Sequence, residues 1–386
     1  MVVEAAGEMR LAICHPYLSM RGGAEKVVLK IAQHFNAKIY CAFYEPKKTY
    51  PELRDCDIEV LGTRLQHILP SFLPIRVRRG ITAGLIFYTT KLSDYDVINA
   101  QGTPGEWIRH RNSPVVWYSH SPNRDAFDLY ELKQRKRSIS ERSLYWACIQ
   151  AYRRLEGQTV PKLEHIFANS ANTQGRLKRY FGVDSEILHP GIDVKDFRCE
   201  EYQKYFLYPS RIAPEKRFEY AIDAFRKFRR NGHGDWKLVI AGALFAKRPE
   251  HVAYYEWLKG YLGDDGKIVI DLPFEQLVSL YANAYAVLYT PINEDFGIVP
   301  LEALASCKPV IAVNEGGPRE VVVDGENGFL VNSPEEMAAR MEYLAAHPDE
   351  VEGMGRSGRR HVERNFSWER FLSRFGEVCR KLARRG

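Results

Sequence analysis

The strongest constraint on the fold is an alternation of short apolar segments with helix-like segments, which begins near residue 10 and starts again near residue 195. The apolar segments lie at 10–14, 37–43, 94–100, 113–119 and 164–170 in the first series, and at 204–210, 236–242, 266–271, 285–291, 308–314 and 328–332 in the second. Buried strands that alternate with helices indicate βαβ units and parallel sheets covered on both faces. The sequence therefore predicts an α/β fold with two doubly wound, Rossmann-like domains.

The restart of the pattern sets the domain boundary. We predict a first domain at 9–195 and a second at 196–366, a division that suits a chain of 386 residues. In open parallel sheets, ligands bind beyond the carboxyl ends of the strands. Two such domains that face each other would hold their ligand in the cleft between them.

Composition and charge exclude several classes of protein. With 45% hydrophobic and 27% charged residues, the chain is not disordered, collagen-like or a disulfide scaffold. The net charge of +6 is too small to indicate nucleic-acid binding. All of the excess lies in residues 1–195, with 28 Lys and Arg against 20 Asp and Glu, so an anionic partner is expected there. Seven scattered cysteines and the lack of a signal peptide at the first residues predict reduced thiols and a cytoplasmic location.

Two glycine motifs differ in their structural context. Gly22 and Gly23 follow the first strand and precede a helix, where paired glycines let backbone amides approach a phosphate. An ordinary strand-to-helix turn is the alternative. The fingerprint G-x-G-x-x-G of dinucleotide-binding proteins occurs at 353–358, but it follows helical sequence rather than a strand. We interpret that segment as a connection between helices and do not expect NAD binding.

Charged side chains follow several of the predicted strands. Arg211 and Lys216 lie in the loop after the first strand of the second domain, where a fork of donors and a point charge suit a diphosphate. Glu294 follows a later strand, and Glu302 lies eight positions further on, in the next helix. About 12 Å of helical rise corresponds to this spacing. We therefore expect the two carboxylates to hold different parts of one extended ligand rather than to act as a close pair.

His120 follows the segment 113–119 directly, so it is expected at the carboxyl edge of the first sheet. A packed or surface histidine is the alternative interpretation.

Together these motifs resemble those of the retaining family-four glycosyltransferases, which have the GT-B fold of two facing Rossmann-like domains. The shared segments are RGGAE, HSPNRDAFDLY, HPGID, SRIAPEKR, EDFGIVPLEA, EGGPREVV, DGENGFLV and NFSWER, and they extend over Met9 to about Leu382. The segments HSPNRDAFDLY and GGAEKVV are most similar to mannosyltransferases that act on lipid-linked oligosaccharides. The resemblance also implies that the C-terminal helix, 367–386, packs back on the first domain.

The resemblance implies roles for the matching residues. Arg211 and Lys216 would bind the donor diphosphate and stabilise the departing nucleotide. Gly22 and Gly23 would belong to the donor site, where the amide of Gly23 would lie against the diphosphate. Glu302 would accept hydrogen bonds from the ribose hydroxyls. The donor sugar would contact Glu294, His120 and the backbone amides of Phe296, Gly297 and Ile298. The base or the ribose would contact Glu320. The catalytic group would then comprise His120, Arg211, Lys216 and Glu294.

The implied activity is transfer of a sugar with retention of configuration, from GDP-mannose to a hydroxyl of a glycan acceptor on a polyprenyl lipid. Neither a metal nor a cofactor is expected, and the nucleotide sugar is a substrate. The first domain would take the acceptor and the second the nucleotide sugar. A UDP- or dTDP-sugar donor, a soluble acceptor and a non-catalytic nucleotide-sugar-binding subunit remain alternatives.

Two stretches of the first domain are expected to contact an anionic membrane surface. The segment 67–91 combines apolar with basic residues: Ile68, Leu69, Phe72, Leu73, Ile75 and Ile86 with Arg76, Arg78 and Arg79. A second basic stretch lies at 133–142. This composition suits peripheral attachment to the cytoplasmic face of a membrane. A solvated or core-facing helix is the alternative for each.

Overall fold

The computed structural model describes residues 9–63, 75–135 and 139–385. The chain divides into two compact units, of which unit 1 is Met1–Pro190 with Glu369–Gly386 and unit 2 is Gly191–Trp368. In the described part of the chain, each unit contains one parallel β-sheet with helices between its strands. The predicted fold class, two Rossmann-like α/β domains, is therefore confirmed.

The sheet of unit 1 has the strand order β3-β2-β1-β4-β5-β6-β7. Its strands are β1 Leu11–Leu18, β2 Lys38–Tyr44, β3 Ile58–Val60, β4 Val97–Gln101, β5 Val115–Ser119, β6 His165–Ala168 and β7 Glu186–Ile187. The helices are α1 Gly23–Phe35, α2 Ile75–Thr89, α3 Tyr130–Arg135, α4 Ile139–Thr159, α5 Ala171–Phe181 and the C-terminal α13 Trp368–Ala383. Every residue of β4 and β5 is buried, which explains why these strands are largely apolar; the buried polar residues in them are Asn99, Gln101 and Ser119.

The C-terminal helix α13 packs on unit 1 through its apolar face. The Phe371 ring lies 5.3 Å from that of Tyr118 in β5, and the Phe375 ring lies 5.8 Å from that of Phe35 in α1. At the edge of the sheet, Arg374 donates from Nε and Nη2 to the two oxygens of Glu186, at 2.6 and 3.0 Å. Burial of the aromatic rings supplies most of the stabilisation expected from this contact.

The sheet of unit 2 has the order β10-β9-β8-β11-β12-β13. Its strands are β8 Tyr205–Pro209, β9 Lys237–Gly242, β10 Gly266–Ile270, β11 Ala286–Tyr289, β12 Val310–Val313 and β13 Gly328–Val331. The helices are α6 Phe218–Arg230, α7 Pro249–Leu262, α8 Phe274–Asn283, α9 Ile298–Ala305, α10 Pro318–Val321, α11 Pro334–Ala346 and α12 Pro348–Asn365. Because β8 is central and β11 is its neighbour, the loops that follow these two strands leave the same edge of the sheet.

The segment 353–358 lies inside α12, so its interpretation as a connection between helices is wrong. A Cβ atom on Gly355 would lie 2.0 Å from the carbonyl oxygen of Cys307, and one on Gly358 would lie 2.5 Å from Cδ2 of Leu304. These glycines let α12 approach α9 closely. The motif therefore serves helix packing, and it has no strand before it that would make it a dinucleotide fingerprint.

The expectation of reduced thiols is wrong for two of the cysteines. Cys199 and Cys307 form a disulfide with a Cα–Cα distance of 5.4 Å. The two cysteines are 108 residues apart in the sequence, and only the fold brings them together. The pairing could therefore not be predicted from their spacing.

Candidate active site

The loop between β8 and α6 carries the two predicted cations of unit 2. A short 3-10 turn, Pro214–Lys216, precedes Arg217, which adopts a left-handed φ of 52° and starts α6. The hydroxyl of Tyr208, in β8, donates to the carbonyl oxygen of Lys216. This bond fixes the direction in which the loop leaves the sheet.

Arg211 is held by Glu215 and Phe245, and its Nε donor remains unused in the part of the chain that the structure describes. Its Nη2 donates to Oε1 of Glu215 at 2.9 Å, and its guanidinium lies 5.3 Å from the centre of the Phe245 ring. The Nε atom is buried and has no hydrogen-bond partner within the described residues. An unpaired buried donor costs free energy, so an anion that accepts a hydrogen bond from the guanidinium would stabilise this arrangement.

Lys216 and Glu294 form the closest contact among the predicted site residues. Lys216 Nζ donates to Oε2 of Glu294 at 2.6 Å, and the two side chains are only 11% and 18% exposed. The ion pair joins the loop after β8 to the loop after β11. A cation and a carboxylate are thus held together beyond the carboxyl ends of two parallel strands, which is where open parallel sheets bind their ligands.

The loop after β11 is clamped by residues that sequence analysis did not select. Arg217 donates from Nε to the carbonyl oxygen of Thr290 at 2.7 Å and from Nη2 to Oε1 of Glu315 at 3.0 Å. The second oxygen of Glu315 accepts from the amide of Asn293 at 3.2 Å. The clamp fixes the backbone immediately before Glu294. Both residues lie inside motifs quoted above, but a role in holding the backbone leaves no separate sequence signal.

Glycines behind this loop allow a close approach of two backbones. A Cβ atom on Gly316, whose φ is +62°, would lie 2.4 Å from the carbonyl oxygen of Glu294, and one on Gly317 would lie 2.3 Å from Cα of Phe296. The Gly317 amide donates to the Glu294 carbonyl at 2.9 Å. The EGGP turn therefore supports the EDFG loop directly.

The amides proposed for the sugar pocket lie at the start of α9. Gly297 is its N-cap with a φ of 89°, and Ile298 is the first helical residue. The first amides of an α-helix have no acceptor inside the helix, and they carry the positive end of its dipole. Phe296 is buried before them.

Glu302 lies further along α9. Its Oε2 accepts from the Tyr281 hydroxyl at 2.6 Å. Burial raises the pKa of this carboxyl to about 7, while the Tyr281 hydrogen bond acts in the opposite direction. Glu320 lies in the short helix α10, and its amide donates to the carbonyl of Gly317.

In unit 1, the glycine loop lies next to two buried polar side chains, those of Glu25 and His15. Gly22 is the N-cap of α1 and Gly23 its first residue, and a Cβ on Gly23 would meet no atom within 4 Å. A Cβ on Gly22 would lie 2.5 Å from Oε2 of Glu25. The other Glu25 oxygen lies 3.9 Å from Nε2 of His15, a residue of β1. Glu25 and His15 are both buried and were not selected from the sequence.

His120 follows β5 directly, at the carboxyl edge of the sheet as expected. Its Nε2 lies 2.7 Å from Oε1 of Gln101, the last residue of the neighbouring strand β4. Burial, and secondarily the nearby His15, lower the pKa of His120 to about 3, so the imidazole is neutral at physiological pH.

Comparison with known proteins decides the family. Residues 21–196 match the model described as Glycosyltransferase Family 4, and residues 193–361 match the model described as Glycosyl transferases group 1. The two models together span both units. The chain belongs to the family-four glycosyltransferases.

Relatives of this glycosyltransferase are similar over nearly their whole length. The alpha-1,3/1,6-mannosyltransferase ALG2 of Dictyostelium discoideum is 28% identical, with 99% of this chain and 100% of that protein covered. The protein of the same name from Homo sapiens is 29% identical, with 95% of each chain covered.

Solved structures share the fold of this glycosyltransferase. Anabaena Alr3699/HepE in complex with UDP-glucose has a TM-score of 0.73 at 18% identity, with 97% of this chain and 100% of that chain covered. Sucrose-phosphate synthase from Thermosynechococcus elongatus has a TM-score of 0.74 at 19% identity, with 98% and 100% covered.

The predicted membrane segments of the glycosyltransferase are described only in part. Residues 67–74 of the first segment and 136–138 of the second lie outside the described residues, as therefore do Ile68, Leu69, Phe72 and Leu73. Ile86 is buried in the core of unit 1, so its selection as a membrane contact is wrong. Arg79 forms an ion pair within unit 1, where its Nη1 donates to Oε1 of Glu45 at 3.2 Å.

Helix α2 nevertheless exposes a different apolar face. The exposed large apolar side chains of this helix are Val77, Ile81, Leu85 and Tyr88. Their spacing of three to four residues aligns them along one side of the helix. The opposite side, with Ala83 and Phe87, is buried.

Two further features are absent from the described ranges. No helix there is both long enough and apolar enough to cross a membrane. Among the same residues, no group of three His, Cys, Asp or Glu side chains is arranged to hold a metal ion, and metal independence stays a prediction.

Proposed function

We propose that this glycosyltransferase moves mannose from GDP-mannose, with retention of configuration, to a hydroxyl of a glycan that is carried on a polyprenyl lipid. Similarity to the alpha-1,3/1,6-mannosyltransferases along nearly the full length of both chains supports mannose as the sugar. The observation that carries the donor site is the Lys216–Glu294 ion pair beside Arg211, at one edge of the unit 2 sheet.

Each charged residue would bind a different part of the donor. The diphosphate would replace Glu294 as the partner of Lys216 and would fill the unused donor of Arg211. Glu294, once released, would accept from hydroxyls of the mannose, while Glu302 would accept from the ribose. The amides of Gly297 and Ile298 would face the sugar, and the amide of Gly23, where a side chain would enter open space, would approach the diphosphate.

The negative charge that develops on the leaving nucleotide explains the role of Arg211 and Lys216 in this site. As the bond between the sugar and the diphosphate breaks, negative charge grows on the leaving nucleotide, and fixed cations in a partly buried site stabilise it. The acceptor hydroxyl would attack from the face that the nucleotide leaves, and its proton would pass to the departing diphosphate. No enzyme carboxylate acts as a nucleophile in this scheme, and no metal is required. A covalent mannosyl adduct on Glu294, or loss of activity with EDTA, would contradict it.

The donor base is tested by thermal stabilisation with GDP, UDP and dTDP. Since ligand binding to the folded state raises its stability, we expect the largest rise in melting temperature with GDP. Arg211→Ala should lose this rise, whereas Arg340→Ala, which removes an exposed arginine of α11, should keep it. A larger shift with UDP than with GDP would overturn the donor assignment.

Unit 1 would receive the acceptor at an anionic membrane surface. The basic excess of residues 1–195 supports attraction to anionic lipid, and the face of α2 that carries Val77, Ile81, Leu85 and Tyr88 supports insertion of apolar side chains. The attachment would be peripheral and on the cytoplasmic side.

Vesicle flotation tests this attachment. The doubly substituted variant Ile81→Ser/Leu85→Ser should bind less to vesicles with anionic lipid at low salt than the parent protein does. Trp257→Ser, which removes an exposed apolar side chain of unit 2, should bind as the parent protein does. Equal binding of the parent protein to neutral vesicles would count against the electrostatic part, and equal binding of the double variant would count against α2.

A further inference from the structure

Two buried amides in unit 1 lie between the strand backbone and His120. Asn99 and Gln101 are both inaccessible to solvent and point to the same side of β4, two residues apart. Gln101 Nε2 donates to Oδ1 of Asn99 at 2.8 Å, and Gln101 Oε1 lies 2.7 Å from Nε2 of His120. The three side chains form one continuous hydrogen-bonded series.

The orientation of the series is fixed at its first member. The Nδ2 atom of Asn99 lies 3.1 Å from the carbonyl oxygen of Val116 and 3.3 Å from that of Ala100. Carbonyl oxygens only accept hydrogen bonds, so the Asn99 nitrogen must face them and its oxygen must face Gln101. Gln101 consequently turns its nitrogen to Asn99 and its oxygen to His120.

This orientation determines which nitrogen of His120 carries the proton. The imidazole is neutral, because burial and the neighbouring His15 lower its pKa to about 3. A neutral imidazole has one N–H, and the Gln101 oxygen can only accept, so the proton lies on Nε2. The Nδ1 atom is then an acceptor, and no hydrogen bond to it occurs within the described residues.

We propose that Gln101 and Asn99 are positioning residues for the transfer reaction, which hold His120 as the Nε2–H tautomer so that Nδ1 accepts a hydrogen bond from a hydroxyl of the donor sugar. The proposal rests on the function proposed above. A bare Nδ1 cannot donate to a phosphate oxygen, which itself only accepts. The tautomer therefore directs His120 to a hydroxyl-bearing group and away from the diphosphate.

Direct observation of the ring nitrogens tests the tautomer without any substrate. In protein labelled with ¹⁵N-histidine, we expect His120, assigned by its loss in His120→Gln, to show a protonated Nε2 and a bare Nδ1 between pH 6 and 8. Gln101→Met should give intermediate ¹⁵N shifts, which report a mixture of tautomers. Ser119→Ala, which removes a buried hydroxyl without a recorded hydrogen-bond partner in the described chain, should leave the shifts unchanged. A bare Nε2 in the parent protein would overturn the proposal.

Two replacements of His120 test which nitrogen serves the reaction. An asparagine side chain can place its oxygen near the position of Nδ1, whereas a glutamine reaches the position of Nε2. We expect His120→Asn to retain at least tenfold more turnover of GDP-mannose than His120→Gln, and Gln101→Met to lower kcat with an unchanged Kd for GDP. The reverse order of the two His120 variants would contradict the proposal. If the parent protein does not turn over GDP-mannose, the proposed function fails, while the ¹⁵N result still decides the tautomer.

The pH profile gives a further readout. The charged or titratable groups that neighbour His120 are His15, with Glu25 behind it, and Tyr118, whose ring lies 5.0 Å away. Gln101→Glu adds a carboxylate that favours the imidazolium form, in which Nδ1 carries a proton. We expect this variant to gain activity as pH rises from 6 to 9, and an unchanged profile would count against the required bare Nδ1.

Discussion

Lys216 and Glu294 are in contact at 2.6 Å, although both are assigned to the donor. The ion pair keeps each group oriented before the donor binds, since a nearby partner stabilises both charges. It also means that the diphosphate competes with Glu294 for Lys216. The site therefore exchanges one anionic partner for another, and this exchange has measurable consequences.

Replacement of Glu294 should separate nucleotide binding from transfer. In Glu294→Gln, Lys216 loses its competing anion, so we expect GDP to bind about two- to fivefold more tightly, as removal of a modest ion pair allows. Transfer should fall by about 10²-fold, because a contact with the reacting sugar is lost. Calorimetry with GDP and initial rates with GDP-mannose measure the two effects. Weaker GDP binding in this variant would show that the pair does not compete with the diphosphate.

Glu302 should make donor affinity depend on pH. Its pKa is raised to about 7, and acceptance of ribose hydrogen bonds favours the ionised form, so binding releases a proton. GDP affinity should rise as pH increases through 7, by about tenfold for each unit by which binding lowers the pKa. Calorimetry between pH 6 and 8.5 measures this slope, and Glu302→Gln corrects for titration of the nucleotide. The same slope in both proteins would exclude Glu302 as its source.

Tyr281 should set the position of that transition. Its hydroxyl donates to Glu302 and holds the pKa of the carboxyl below the value that burial alone would give. Tyr281→Phe removes this hydrogen bond, so the rise in GDP affinity should move to higher pH. The same variant should lose about 1 kcal/mol of stability, as one hydrogen bond is removed. A transition that stays in place would contradict the assignment of the pKa shift to these two groups.

Most of the fold was predictable from the sequence, because buried parallel strands are continuous apolar runs. The missed strands, β3 and β7, have three and two residues, too few for such a run. Arg211, Lys216, Glu294 and His120 were found because a strand end precedes each of them. Arg217, Glu315, Gln101 and Asn99 were missed because they act through backbone groups or through a neighbour, and this depends on which strands lie side by side.

The glycines of α12 provide a test of packing against helix propensity. Propensity alone predicts that glycine-to-alanine replacement inside a helix stabilises by about 1 kcal/mol, and Gly353→Ala, whose Cβ meets no atom within 4 Å, should do so. Gly355→Ala should instead destabilise by about 1–3 kcal/mol, because its Cβ would meet the carbonyl of Cys307 at 2.0 Å. Urea unfolding of the two variants measures the difference. Equal stabilisation of both would contradict the close contact of α12 with the backbone of Cys307.

Gly317 offers a comparable test next to the candidate active site. Its Cβ would meet Phe296 Cα at 2.3 Å, so Gly317→Ala should displace the EDFG loop and reduce both stability and GDP-mannose turnover. Gly234→Ala has open space around its Cβ and serves as the control. Turnover and melting temperature that match the control would show that the EGGP turn does not support the loop.

The central claim, a retaining mannosyltransferase, is tested most directly by the anomer of the first mannose that the enzyme releases from GDP-mannose into water. In GDP-mannose the sugar is α-linked, and retention gives α-mannose before the two anomers equilibrate. Proton NMR recorded from the first minutes of the reaction distinguishes them, with Lys216→Ala as the inactive control. We predict α-mannose together with GDP. Initial release of β-mannose would contradict retention, and no release from GDP-mannose alongside release of glucose from UDP-glucose would contradict the assignment of the donor.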